Sequence, residues 1–162
     1  MGYDFYNERG ECFGLHSSSW PMAYDLAVLY GWQPAGTGPS VDPQCVPKNE
    51  AIDLSQMIQE ASVNFGSESN GSYFGNDWQV VHGADALRLA AALERAVAEL
   101  PDEDLCPVKI MKLINRHGRP IEVKVLADNA HDDPKLYWSG TDSKARLREF
   151  INFCRQGSFA IG

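Results

Sequence analysis

The stretch Ala84–Leu100, ADALRLAAALERAVAEL, sets the class of fold that the rest of the chain must join. Ala, Leu, Glu and Arg lose little side-chain freedom in a helix and are its strongest formers. Leu87, Ala90, Leu93, Val97 and Leu100 recur at helical spacing and predict one buried stripe. Asp85 stands in the first turn, where a carboxylate favours the positive end of the helix dipole, and Pro101 stops the helix. Toward the C-terminus the same pattern returns over Ser143–Gln156. There Leu147, Phe150, Ile151 and Cys154 share a face, Gly157 caps the end, and Phe159 and Ile161 predict a closing edge strand.

Toward the N-terminus, Ala23, Leu26, Ala27 and Tyr30 form another stripe. Ser17, Ser18 and Ser19 offer cap hydroxyls, Pro21 suits a first turn, and Gly31 predicts a left-handed end. Asn49–Ala61 reads as a further helix through Leu54, Met57, Ile58 and Ala61. Between these helices, Pro34–Pro39 is a helix-free loop and Phe65–Gly75 a small, polar one, with turn chemistry at Asn70-Gly71. Tyr3–Leu15 reads as a hairpin turned at Gly10, and Trp78–Val81 as a brief strand. Pro107–Asp128 fits neither period cleanly in its first half. Beyond Gly118, Ile121, Val123 and Val125 alternate with charges as a strand does, and Asn129–Pro134 is a polar loop. The fold expected is α+β and helix-dominated, with four or five helices and a small sheet or hairpin, in one domain over residues 1–162.

Lys+Arg number 14 and Asp+Glu 22 among 162 residues, a formal net charge of −8. That balance argues against nucleic acid, which needs a basic face. No apolar run reaches the ~20 residues of a membrane span, and Met1-Gly2-Tyr3-Asp4 lacks a secretory signal, so a cytoplasmic location is expected. Cys12, Cys45, Cys106 and Cys154 are scattered with no C-x-x-C pair, as reduced thiols would be.

No motif fixes a reaction. Cys12 and His16 have the spacing of half a zinc site, but no second pair completes it, and no metal or cofactor is expected. Asp102-Glu103-Asp104 and His131-Asp132-Asp133 read as solvated acidic loops, and no phosphate-binding glycine pattern is present. The richest constellation is Tyr73, Phe74, Asn76, Asp77, Trp78 and His82, with Trp20 and Trp32 as neighbours. Aromatic faces beside amide and carboxylate groups suit a ligand or partner surface. The simpler alternative is that these rings tuck a loop onto the core.

Three stretches, WPMAYDLAVLYGWQPAGT (20–37), YFGNDWQVV with DALRLAAALERAVAEL (73–100) and REFINFCRQGSFAI (148–161), go together. As a set they resemble a family of small bacterial proteins of unknown function, with YGW-x-P-x-GT, N-D-x-Q-x-V and F-C-R-x-G-x-F-x-I motifs. That resemblance covers about half of the chain and implies no catalytic residue. Three functions follow as expectations. The first is a small acidic binding or regulatory protein, whose charge would steer it to a basic protein or which would take a small ligand. The second is a hydrolase or transferase with a polar pocket near Asp77 and His82, and the third a metal-binding accessory protein. Oligomeric state is left open.

Overall fold

A computed structural model describes residues 2–36, 71–73 and 78–162. The helix expected over Asn49–Ala61, and most of the loop expected over Phe65–Gly75, lie outside the described residues.

The chain opens as a hairpin of β1 (Gly2–Asn7) and β2 (Cys12–His16), turned at Gly10. Buried Asn7 ties the turn, its side-chain oxygen accepting the backbone N–H of Arg9 and Glu11 at 3.0 and 2.9 Å. Helix α1 (Ser19–Leu29) follows. Its end closes with the Gly31 N–H on Val28 and the Trp32 N–H on Ala27, a double bond pattern that requires the left-handed φ of +89° at Gly31.

Next come β3 (Gln79–Val81) and the long α2 (Gly83–Glu99). Strands β4 (Val108–Ile114) and β5 (Pro120–Leu126) form a second hairpin. A 3-10 turn (Asp128–His131) stands within the stretch expected as a polar loop over Asn129–Pro134, and the short α3 (Pro134–Tyr137) follows it. Helix α4 (Thr141–Cys154) and β6 (Phe159–Ile161) complete the chain. The architecture is α+β, with four helices and two antiparallel sheets among the described residues.

The larger sheet runs β2-β1-β6-β3. β6 is therefore an interior strand, not the edge strand its position in sequence suggested. Phe159, Ala160 and Ile161 are all buried, as a strand covered on both faces demands. One face of the sheet packs on α1, α2 and α4. Phe5 sits between Trp20 and Phe150, each ring centroid 5.1 Å away, and Phe159 closes the cluster.

The stripe on α4 is as expected, with Leu147, Phe150, Ile151 and Cys154 all buried and Phe153 beside them. On α2, Ala90, Leu93 and Val97 are buried and Leu100 just beyond it too, but Leu87 is half exposed. Leu89 takes the interior place, with Ala86, Ala92 and Ala96. The buried face is wider than one stripe because α1 and α4 both pack on this helix.

Candidate functional site

Of the residues expected to form a ligand or partner surface, Trp20, Trp32 and Tyr73 lie in the interior. The Trp20 indole donates to the Tyr73 carbonyl at 2.9 Å. Trp32 and Tyr73 stack in parallel, 5.9 Å apart. Both lean on Asp85. Its carboxylate accepts the Trp32 indole N–H at 3.1 Å, the Tyr73 hydroxyl at 2.7 Å, the Ala35 amide at 2.9 Å and the Arg88 guanidinium at 3.1 Å.

Asp85 thus does more than face a helix dipole: it joins three chain segments beneath the surface. Burial, then the adjoining carboxylate, push the Tyr73 phenol far above its usual range. These three rings cannot present a face to a partner, because their faces are already covered. They are corrections to the expected surface.

Phe74, Asn76 and Asp77 lie outside the described residues. Trp78 is half-buried and stacks on Tyr6 at 5.4 Å. Its φ of 59° is a left-handed conformation that a bulky residue rarely adopts. His82 is half-buried and precedes α2, its carbonyl accepting the amides of Asp85 and Ala86. Burial lowers its pKa, against the smaller opposing effect of Asp85.

His16 of the half zinc spacing and the two acidic runs make local contacts. His16 Nδ1 pairs with Ser18 Oγ at 3.0 Å. Asp102 holds the buried Lys144 at 2.6 Å, which also caps α2 through the Leu100 carbonyl and draws the Asp102 carboxyl below its ordinary value. Asp133 accepts the Lys135 amide at the start of α3. Cys12, Cys106 and Cys154 are free thiols, and Cys45 lies outside the described residues. No group of three or more His, Cys, Asp or Glu is placed to hold a metal among the described residues. Nor is any described helix long and apolar enough to cross a membrane.

Strand β5 stands where the alternation of Ile121, Val123 and Val125 predicts one, whereas β4 and the exposed arm the two strands make are not legible from periodicity. These strands pack almost wholly on each other. Asn115 turns the tip, its side chain accepting the amides of His117 and Arg119, and Gly118 takes the positive φ. The root is closed by the Ala127 amide on the Pro107 carbonyl and by Lys109 on Asp128 at 2.5 Å.

Opposite residues in the register share a face. Met111 with Val123 and Leu113 with Ile121 therefore lie on one side, with Val125 next to them. Met111, Leu113 and Ile121 are each about two-fifths exposed, and Val123 and Val125 are half-buried. The opposite face carries Val108 and Leu126 at the root and Ile110 and Ile114 farther out.

Val108 and Leu126 line a cleft of about 480 Å³ between the arm and the body. Its far wall includes His16, Tyr137, Trp138 and Arg146. Arg146 lies over the Phe13 ring at 4.0 Å and donates to the Gly14 carbonyl at 2.6 Å. The Trp138 indole N–H is buried with no hydrogen-bond partner among the described residues. Gly140, at φ +91°, fits against Asp104 so closely that a Cβ would lie 3.1 Å from the Asp104 Cβ. That approach draws the acidic Asp102–Asp104 segment up to the start of α4, beside the cleft.

A signal for the arm was present in the charges. Val108–Leu126 holds Lys109, Lys112, Arg116, Arg119 and Lys124 against Glu122, a net of 5 − 1 = +4 in a chain of −8. No protein-family model matches the chain, and no curated protein or solved structure proves similar to it.

Proposed function

We propose that this protein is a binding or regulatory protein that engages another polypeptide through the β4–β5 arm. The observation that carries this reading is the row Met111, Leu113 and Ile121, left open to water on a strand pair whose other contacts are few. Leaving contiguous apolar side chains exposed forgoes about 25 cal/mol for each Å² that burial would remove from water. Natural domains keep such rows where another surface covers them. The outer edges of β4 and β5 add backbone groups that can extend a partner's sheet. The chain's overall charge favours a basic partner, whereas the +4 of the arm favours an acidic face at this surface.

The test is capture with the tagged protein and with a Leu113→Asp/Val123→Asp variant whose melting curve matches the parent. The binding reading expects a partner recovered by the parent and lost by the variant. Partners retained equally by both would remove the arm from the account.

A second reading is favoured by the orphan indole of Trp138. A small ligand with an acceptor oxygen, seated in the cleft, would satisfy it. Titration of small carboxylates and amides while following Trp fluorescence tests this. A response that persists in Trp138→Phe comes from elsewhere.

A further inference from the structure

The cleft beside the arm holds a group of hydroxyls that the fold does not use for its own helix. Ser18 stands at the N-cap of α1, where a serine side chain ordinarily accepts a backbone amide of the first turn. Here its side chain makes no such bond. The Ser18 Oγ lies instead 3.0 Å from His16 Nδ1 and 3.3 Å from the Tyr137 hydroxyl, which is itself 2.9 Å from Ser19 Oγ. The His16 contact is local, but Tyr137 comes from α3, 119 residues further along the chain. A stabilising cap is thus forgone, and a long-range contact holds the hydroxyl toward an imidazole.

His16, Ser19 and Tyr137 all line the cleft of about 480 Å³. His16 is exposed, and Ser18 and Ser19 are partly so. The geometry points to a hydrolytic activity in which Ser18 is the nucleophile and His16 the general base, acting on small uncharged esters. This goes beyond the binding reading and does not depend on it.

As the Nε2–H tautomer, His16 accepts the Ser18 proton at Nδ1 while Oγ bonds to the ester carbonyl carbon. The C–O bond to the alcohol then breaks, and the alcohol leaves with that proton. Water attacks the acyl carbon on Ser18 and gives a proton to His16. The acid departs as Ser18 Oγ takes that proton back. The negative oxygen that forms next to Ser18 in each step meets the positive end of α1, whose first amides Ser18 leaves uncapped. Tyr137 is a positioning residue, fixing the Ser18 hydroxyl. No carboxylate is hydrogen-bonded to His16 among the described residues, so the base lacks the third member of a triad and turnover is expected to be slow.

The walls set the substrate class. Val108 and Leu126 offer an apolar surface to a short acyl chain, whereas Asp104 and Asp142 line the same cleft and repel an anionic one. Arg146 does not offset them, because it is engaged by Glu149 and the Gly14 carbonyl.

The experiment uses the whole chain with p-nitrophenyl butyrate, and separately with a fluorophosphonate probe that loses fluoride to an activated serine. The parent is expected to release nitrophenol and to take up one probe, mapped by peptide mass to Ser18. Ser18→Ala and His16→Gln are each expected to lower turnover by about 10²-fold or more and to abolish labelling, with melting curves like the parent's. Tyr137→Phe keeps the ring and is expected to slow turnover and labelling without abolishing either. An ester bearing a carboxylate on its acyl chain is expected to react more slowly than the butyrate, and equal rates would overturn the substrate class.

A parent that takes up no probe, or takes it up at Ser19 or elsewhere, overturns the dyad. Turnover that survives in Ser18→Ala comes from other nucleophiles, such as surface lysines, and overturns it too. If a variant fails to melt like the parent, the site of labelling on the parent decides. The binding reading stands or falls separately, with the capture described above.

Discussion

The body and the arm each offer apolar side chains at regular spacing, and they treat them oppositely. In α4, Leu147, Phe150 and Cys154 are wholly buried, and the Phe150 ring packs with five other aromatic rings. In β4, Ile110 is 61% and Ile114 76% exposed, although both belong to a regular antiparallel ladder. A two-stranded hairpin has only its partner strand to lean on and is marginally stable in water by itself. The body's sheet has helices across one face. The difference teaches that regular secondary structure and burial are separable. The arm has its inner ladder paired but, among the described residues, its outer edges open and much of its hydrophobic surface exposed, which is what supports the proposal that it meets another surface.

The sharpest way to break this comparison is Phe150→Ala. It is expected to cost about 3–5 kcal/mol, as buried Phe truncations do. For a chain of this size that lowers the melting temperature by about 2–4 °C per kcal/mol. Ile114→Ala in the arm is expected to stay within about 0.5 kcal/mol, as an exposed site should. Equal effects from the two substitutions would erase the distinction between body and arm.

Next in size is Asp85→Ala, which strips the acceptor from the Trp32 indole, the Tyr73 hydroxyl and the Ala35 amide. Each buried donor left unsatisfied costs about 1–3 kcal/mol, so a loss of about 3 kcal/mol or more is expected in urea unfolding. Asp85→Asn keeps one acceptor oxygen and is expected to lose less. A neutral Asp85→Ala would mean that these donors find water instead.

How much of this was legible in the sequence divides along the same line. The helices of the body were readable because a stripe at helical spacing leaves little alternative, as Leu147, Phe150, Ile151 and Cys154 show. Leu87 misled because Leu, Ala and Val occupy several adjoining rows of α2, and a periodicity alone does not choose among them. β6 misled because position in the chain does not give position in a sheet. Its unbroken Phe159-Ala160-Ile161 run was the signal for an interior strand.

The aromatics Trp20, Trp32 and Tyr73 drew attention as a surface because their type suits binding. Only the fold shows that Asp85 gathers two of them inside. In the arm, Val108, Ile110 and Leu113 fit neither period alone. A strand exposed on both faces lacks the clean apolar and polar alternation that a half-buried one shows.

Alkaline pH gives a smaller, graded effect confined to the body. The Tyr73 phenol has its folded-state pKa raised above the ordinary value of about 10, chiefly by burial. The folded chain thus keeps a proton that the unfolded chain releases. That contribution to stability is complete below about pH 10 and is lost as pH rises from there toward the folded value, by about 1.4 kcal/mol per pH unit. Urea melts between about pH 9 and pH 11.5 are expected to show this decline, and Tyr73→Phe is expected to flatten it. Identical pH profiles for parent and variant would show that Tyr73 is not the group responsible.

The central claim, that the arm is the surface through which the protein meets another polypeptide, is tested most directly by amide hydrogen exchange resolved along the chain with and without the partner that the capture recovers. The account predicts that amides of Val108–Ile114 and of residues 121–126 exchange fast in the free protein and gain protection in the complex. Those of α2 and α4 are expected to stay equally protected in both. Arm amides whose exchange is the same with and without the partner would contradict it.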